Sequence, residues 1–325
     1  MSTFRDALAA ADAPLVGLWN ASGSAVAAEI MAGESLGFSL RAFDIHGNPY
    51  VEQTTSTVLV ADQGLELTPT AVALDASGEG EGAVTLVHAT TANRLTAEVF
   101  GTQMGSSSLF SVTPGPHSGY SVELGTTWVE LGESVAVQVF AVDAWGNVAT
   151  SVDAVVDLDS VQGAGDGLSD LDVVGGTASV DFLWDTVALQ DQLTVTDGTY
   201  SGASDAVDAV SFDCVGGPEA DLSVSDADEL RLCLVGGTTS ATDLSAEDSV
   251  EGTGALVAWH SGDGDGTTTR QTVDTWSERW RTVGGRIPYV VVVDESGCAD
   301  RAEVTVWVGA ADGEPVGPVD VLLDD

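Results

Sequence analysis

The sequence predicts an all-β protein made of three consecutive β-sandwich domains. Three observations lead to this prediction: the composition, an internal repeat of one domain length, and short alternating apolar segments separated by turns. The 325 residues include 38 Gly but only 9 Pro, and 44% of them are hydrophobic. Such a composition can fill packed cores, and it favours strands joined by tight turns over helices or a disordered chain.

A repeat of about 100 positions, the size of a common domain, organises the first part of the chain. The segment that begins at Met31 aligns without a gap with ELGESVAVQVFAVDAWGNVATS, so that Gly33 corresponds to Gly132 and Asp44 to Asp143. A repeat of this length indicates tandem domains. We therefore expect a lead-in at 1–13, sandwich domains at 14–115, 116–213 and 214–310, and an acidic linker or tail at 311–325.

Each copy of the repeat contains an alternating strand that ends in a turn. The apolar positions of the two strands are Leu36, Phe38, Leu40 and Ala42, and Val135, Val137, Val139 and Ala141. Alternation with period two is typical of a strand with one buried face, so Ser39, Arg41 and Gln138 should point outward. Each strand is followed by Asp, two variable residues and Gly-Asn, which is turn chemistry.

The third domain is also predicted to be a sandwich, but of a different kind. From Cys214 onwards the segments LRLCLVGG, GALVAWHSGDGDG and RIPYVVVVDESGC again read as strands and turns, out of step with the repeat. Val304, Val306 and Val308 alternate with polar or aromatic neighbours, which indicates a last strand with one buried face.

The charge of the chain limits its partners. It carries 51 acidic against 9 basic residues, a formal net charge of −42. This charge repels nucleic acid and anionic membranes, and no apolar run is long enough to insert into a membrane. It attracts cations, and Asp263 and Asp265 in GDGDG are candidate calcium ligands, although the stretch lacks the spacing of an EF-hand loop. We expect no other cofactor.

Segments of this chain resemble two protein families. FDIHGNPYVE and VDAWGNVATS resemble the strand and turn of bacterial immunoglobulin-like domains of the invasin and intimin type. The segment AWHSGDGDG, followed by PYVVVVDESGC and AEVTVWV, is similar to PKD domains, with His260 and Ser261 replacing two signature positions in what should be a surface turn. The resemblance implies three tandem immunoglobulin-like sandwiches located on a bacterial cell surface or outside the cell, next to neighbouring domains of a longer polypeptide.

The three cysteines allow three single pairings, and the residues alone do not choose among them. The resemblance to PKD-like repeats implies a disulfide between Cys233 and Cys298, with Cys214 left over in the linker. The alternative is three unpaired thiols in a reducing compartment.

An aromatic and basic cluster in the third domain is the candidate ligand surface. It consists of Trp276, Arg279, Trp280, Arg281 and Arg286. Trp and Arg are enriched at binding hot spots, and an indole face can stack on a sugar. The alternative is that one Trp fills the core while the Arg residues pair with the abundant carboxylates. A protein or glycan on another surface is the expected partner.

No catalytic residues are expected. Ser35 formally fits a Gly-x-Ser-x-Gly nucleophile motif, but its repeat counterpart reads Gly-Glu-Ser-Val-Ala, and both precede a strand where a nucleophile elbow needs a strand-to-helix turn. The sequence therefore predicts a non-catalytic segment of a surface or secreted protein, acting as a rigid spacer and adhesion module. The alternative is an accessory carbohydrate-binding region of a secreted hydrolase.

Overall fold

The structure is a computed structural model that describes residues 15–20, 29–43, 56–61, 71–99, 102–224, 231–233, 242–262, 268–271, 273–281 and 284–309. These residues form thirty β-strands and no helix. The predicted lead-in at 1–13 and tail at 311–325 lie outside the described residues, as does the first copy of the Gly-Asn turn.

The first sandwich contains ten strands in three sheets. With the strands numbered along the chain, their order within the three sheets is β1-β3-β6, β2-β10-β7 and β5-β4-β8-β9. The strands are β1 Leu15–Asn20, β2 Glu29–Met31, β3 Ser35–Phe43, β4 Ser56–Ala61, β5 Ala71–Ala73, β6 Glu79–Thr85, β7 Thr90–Asn93, β8 Leu95–Val99, β9 Thr102–Ser106 and β10 Phe110–Thr113.

The second sandwich repeats this arrangement with sheets β11-β13-β16, β12-β20-β17 and β15-β14-β18-β19. Its strands are β11 His117–Leu124, β12 Trp128–Glu130, β13 Ser134–Asp143, β14 Ala154–Ser160, β15 Leu168–Val173, β16 Thr177–Leu183, β17 Ala188–Asp191, β18 Leu193–Thr196, β19 Ser201–Ala203 and β20 Val207–Val210.

The third sandwich has sheets β21-β23-β26, β22-β30-β27 and β25-β24-β28-β29. Its strands are β21 Ser223–Val224, β22 Arg231–Cys233, β23 Thr242–Ser245, β24 Leu256–Gly262, β25 Thr268–Gln271, β26 Thr275–Glu278, β27 Gly284–Arg286, β28 Tyr289–Asp294, β29 Ala299–Glu303 and β30 Val306–Gly309.

The strand order is therefore the same in all three sandwiches. In each one a short early strand pairs in parallel with the last strand: β2 with β10, β12 with β20, and β22 with β30. The last strand pairs in the antiparallel sense with its other neighbour, which is β7, β17 or β27. The sheets of a sandwich pack their apolar faces together. The chain is an all-β protein of three tandem immunoglobulin-like sandwiches, as the sequence predicts.

The predicted core strands are confirmed. The four apolar positions of β3 are each at most 6% exposed, and Val137, Val139 and Ala141 of β13 are fully buried, whereas Val135 is half-buried. Ser39 does not follow the prediction, because it is only 8% exposed on a strand flanked on both sides by β1 and β6. Val306 and Val308 of the last strand are buried, as expected.

The described residues divide into two compact units. One contains the residues up to Gly119 together with Ala141–Val152, and the other contains Tyr120–Phe140 together with the residues from Asp153 onwards. The former unit contains the first sandwich, together with the start of β11, the end of β13 and the turn that follows β13 in the second sandwich. The rest of the second sandwich and the third sandwich belong to the latter. The domain boundaries at 14–115, 116–213 and 214–310 stay predictions.

Candidate functional site

A buried carboxylate, Asp208, lies where strands of the second sandwich meet the third, and two side chains of the third sandwich contact it. Asp208 on β20 and His260 on β24 are both 0% exposed, and Asp208 Oδ2 lies 2.8 Å from His260 Nε2. The same oxygen accepts a hydrogen bond from Arg270 Nε at 2.9 Å, while Oδ1 accepts one from the Gln190 amide at 2.6 Å. Because His260 and Arg270 stand opposite each other in the β24–β25 pair, both side chains reach one carboxylate.

Asp208 is held as a carboxylate. Burial by itself raises the pKa of Asp208, but hydrogen bonds from His260, Arg270 and the Gln190 amide outweigh it, so that the pKa lies below its usual value. Since a carboxylate can only accept hydrogen bonds, Nε2 of His260 carries a proton here. The joint therefore contains a desolvated charge that is fully paired, which is the condition for tolerating it in an interior.

Thr127 extends this network towards the surface. Its Oγ1 lies 3.0 Å from His260 Nδ1, and its amide donates to Thr268 Oγ1 at 2.9 Å. Thr127, His260 and Asp208 thus have the connectivity of a hydroxyl, base and acid relay. Arg270, however, shares the Asp208 oxygen that would support such a base. What the network does here is tie the segment before β12 to the β24–β25 hairpin.

An apolar layer surrounds these polar groups. The buried members are Val210, Ala258, Val291, Val293 and Ala299. Trp128 of the second sandwich packs edge-on against Phe212 and Tyr289, with ring centroids 5.6 and 6.4 Å apart. The Arg301 guanidinium carbon lies 4.2 Å from the Tyr289 ring centroid. Side chains from both sandwiches therefore form one continuous core at the joint.

A disulfide closes the same joint, but not the predicted one. Cys298 bonds to Cys214, with Cα atoms 5.9 Å apart, so the predicted pairing of Cys298 with Cys233 is wrong. The reason is the backbone: Ser211 pairs with Cys298 in an isolated bridge, which places the neighbouring Cys214 against it. Cys233 lies on β22, where its Cα partner is Gly309 of β30. The sheet that contains β22 and β30 is not the sheet that contains β28 and β29, the strands on either side of Cys298.

The structure also corrects the predicted surface turn around His260. His260 and Ser261 lie within β24 and are 0% and 2% exposed. Ser261 Oγ accepts from the Gln271 side-chain amide at 2.9 Å. The apolar run that precedes His260 in the sequence was the available signal that the strand continues through both residues.

The aromatic and basic cluster does not form one ligand surface. Trp280 is 1% exposed and packs with Val306 and Val308, so its prediction as a ligand-surface residue is wrong. Trp276 is half-buried and packs against a different core cluster around Leu244. The remaining members are Arg279 and Arg281, which are exposed, and Arg286, which is half-buried.

The candidate calcium ligands Asp263 and Asp265 lie outside the described residues, and this site stays a prediction. Within the part of the chain that the structure describes, no cluster of three or more His, Cys, Asp or Glu side chains could hold a metal ion. Those same residues contain no helix that is long and apolar enough to cross a membrane.

The Gly-Asn turn of the second sandwich has a docking role that the sequence did not reveal. Asp143 accepts hydrogen bonds from the amides of Trp145, Asn147 and, at 2.7 Å, Gly115. The Asn147 side chain accepts from the Ala89 amide at 2.8 Å and donates to the Val87 carbonyl at 2.6 Å. Burial raises the pKa of Asp143, but the hydrogen bonds that it accepts from the Asn147 side chain and from the three amides outweigh this effect, so that its pKa lies below the usual value and it stays charged. The turn is therefore bonded to the first sandwich.

No protein-family model and no curated protein matches this chain. Among solved structures it is similar to the Escherichia coli adhesin FdeC, with 12% identity and a TM-score of 0.29 over 91% of this chain and 96% of that one. It is also similar to the PKD1 domain of the Vibrio cholerae metalloprotease PrtV, with 21% identity and a TM-score of 0.22 over 28% of this chain and 96% of that one.

A third structure, of carbohydrate-binding modules from the β-sandwich superfamily, shows 20% identity and a TM-score of 0.26 over 30% of this chain and 36% of that one. Likenesses this distant concern the fold alone and say nothing about what the chain binds.

Proposed function

We propose that this chain is a non-catalytic segment of a bacterial cell-surface or secreted protein, in which the sandwiches act as a rigid spacer that carries an adhesion module. The joint between the second and third sandwiches is the observation that supports this most. A disulfide, the ion pair between Asp208 and Arg270, and an apolar layer all cross it. Domains in one chain move relative to each other by default unless their interface is large and apolar. This interface is apolar, and a disulfide and side-chain hydrogen bonds also cross it.

Each element of the joint opposes a different motion. The disulfide fixes the distance between the end of the second sandwich and the β28–β29 turn of the third. Opening the joint would separate Asp208 from His260 and Arg270, the two side chains that hold its carboxylate across the joint. Bending is therefore opposed by electrostatics as well as by packing.

Charge and redox chemistry favour a location outside the cell. A disulfide persists in oxidising environments such as the bacterial periplasm and the cell exterior. A net charge of −42 keeps neighbouring copies apart and the surface hydrated, which suits a protein that spaces other domains.

Residual dipolar couplings from the full chain test the spacer proposal. A rigid joint requires one alignment tensor to fit the second and third sandwiches together. The variant Cys214→Ser with Asp208→Asn should require two tensors, whereas Cys233→Ser, which removes a cysteine outside the joint, should behave like wild type. Two separate tensors in the wild-type chain would show that the joint bends and that the spacer proposal is wrong.

The accessory carbohydrate-binding role is the second candidate, and the structure offers it less support. It relies on Trp276 and Trp280 stacking on a sugar, and Trp280 fills a core. A glycan array with wild type and Trp276→Ala tests it: binding that disappears in the variant would favour this role.

A further inference from the structure

A groove runs along one lateral side of the second sandwich. There, β11 is the edge strand of one sheet and β19 is the edge strand of another. Between them lies a cavity of about 730 Å³, a common size for a ligand site. Residues 121–127 line one side, Ala203, Asp205 and Ala206 line the other, and Thr268 completes the lining.

The two walls of the groove come together at both ends and separate in between. At one end Gly202 lies so close to Tyr120 that an added Cβ would be 1.9 Å from the Tyr120 carbonyl oxygen. At the other end the Asp208 amide donates to the Thr127 carbonyl at 3.0 Å. At about 3.3 Å per residue, the Ser121–Thr127 wall is roughly 20 Å long, enough for an extended segment of six residues.

The backbone on the β11 side of this groove is available for pairing. Within the described chain, no backbone hydrogen bond joins residues 121–126 to residues 203–206, and β11 pairs only with β13. Sheet edges with open amide and carbonyl groups are templates for an added strand. Apart from Val122, which is buried, and Leu124, the lining residues are small or polar, so an incoming strand meets little steric hindrance.

The charge of the groove selects its occupant. Glu123 and Asp205 are exposed carboxylates on opposite walls, and none of the lining residues is basic. A second copy of this chain, at −42, is repelled. We propose that the groove binds an extended cationic peptide segment of a partner protein, which adds as a strand to the open edge of β11. This binding goes beyond the spacer role and does not depend on it.

The first test measures binding of a fluorescein-labelled hexapeptide of alternating Arg and Val to the full chain by fluorescence polarisation. We expect saturable binding that weakens at least tenfold in Gly125→Trp. A Cβ added at Gly125 meets no atom within 4 Å, so the new ring occupies the groove without a clash at its base. Val155→Trp, at a site 53% exposed on β14, is the matched control and should bind like wild type.

The second test separates strand pairing from general attraction to an acidic surface. The same peptide with alternate amides N-methylated keeps its charge but loses its hydrogen-bond donors, and we expect at least tenfold weaker binding to the wild-type chain. Glu123→Gln with Asp205→Asn should weaken binding, whereas Glu133→Gln with Asp166→Asn, an equal charge change outside the groove, should not.

Hydrogen exchange on the wild-type chain provides a readout that does not depend on any variant folding. Bound peptide should slow exchange of the amides in Ser121–Thr126. Unsaturable binding, equal affinity for the N-methylated peptide, equal affinity of Gly125→Trp and wild type, or unchanged exchange in this segment would each overturn the proposal.

Discussion

Replacing Gly33 by Ala should destabilise the first sandwich far more than the same replacement at its repeat counterpart, Gly132. Both glycines have a left-handed backbone, with φ of +81° and +82°. They differ in their surroundings: a Cβ at Gly33 would lie 1.8 Å from Cη2 of Trp145, whereas a Cβ at Gly132 meets nothing within 4 Å. The pair therefore separates backbone strain from the contact with the indole.

The two costs can be worked out separately. An L-residue in the left-handed region costs about 1 kcal/mol more than Gly, and both variants bear this cost. Trp145 is 41% exposed, so in the Gly33→Ala variant its ring must give up its buried part to make room for the added methyl group. With about 120 Å² of buried indole surface at 25 cal/mol per Å², displacement costs at most about 3 kcal/mol. We expect about 3–4 kcal/mol for Gly33→Ala and about 1 kcal/mol for Gly132→Ala.

Native-state hydrogen exchange is the suitable assay, read on the β3 amides for Gly33→Ala and on the β13 amides for Gly132→Ala, because unfolding of a chain with several domains has no single free energy. In a Trp145→Ala background the cost of Gly33→Ala should fall to about 1 kcal/mol, the backbone term alone. Equal costs at Gly33 and Gly132, or a large cost that persists without the indole, would refute the reasoning.

Three further predictions concern the joint between the second and third sandwiches. Cys214→Ser should destabilise it by about 4–5 kcal/mol in the chain-entropy model, given the sequence separation of 84 residues, whereas Cys233→Ser should leave the calorimetric midpoint unchanged. Asp208→Asn should cost about 3 kcal/mol, measured as faster hydrogen exchange in β24, since it leaves Arg270 and His260 without their buried partner. Folding lowers the pKa of Asp208, so the stabilisation that its carboxylate provides is complete above the unfolded pKa near 4 and is lost as pH falls through the lower folded pKa. The thermal midpoint of the wild-type chain should therefore fall more steeply below about pH 4 than that of Asp208→Asn.

Much of the fold could be predicted because its signals are local. The alternation in β3 and β13 is set by residues two positions apart, and the repeat shows that the first two sandwiches share one architecture. The exception within these strands, Ser39, is informative: alternation assigns a side chain to a face, but it does not reveal that a strand has neighbours on both sides.

The joint could not be predicted in the same way, because its contacts connect residues that are far apart in the chain. Asp208 and His260 are 52 positions apart, and neither has an unusual local context. The choice of disulfide failed for the same reason: a family resemblance favoured Cys233, whereas the pairing depends on where the backbone leaves the second sandwich at Ser211.

The two turns that contact a neighbouring sandwich show how one local motif acquires different roles. Asp143 and Asp294 each cap a turn through Oδ1, accepting amide hydrogen bonds from residues two and four positions ahead. The sequence pattern identifies both segments as turns, but it does not show what either turn contacts. What the turn then does depends on the residue it presents: Trp145 covers Gly33 in one case, and Cys298 forms the disulfide in the other. Variation at one or two turn positions can therefore change how successive sandwiches are joined while leaving every strand in place.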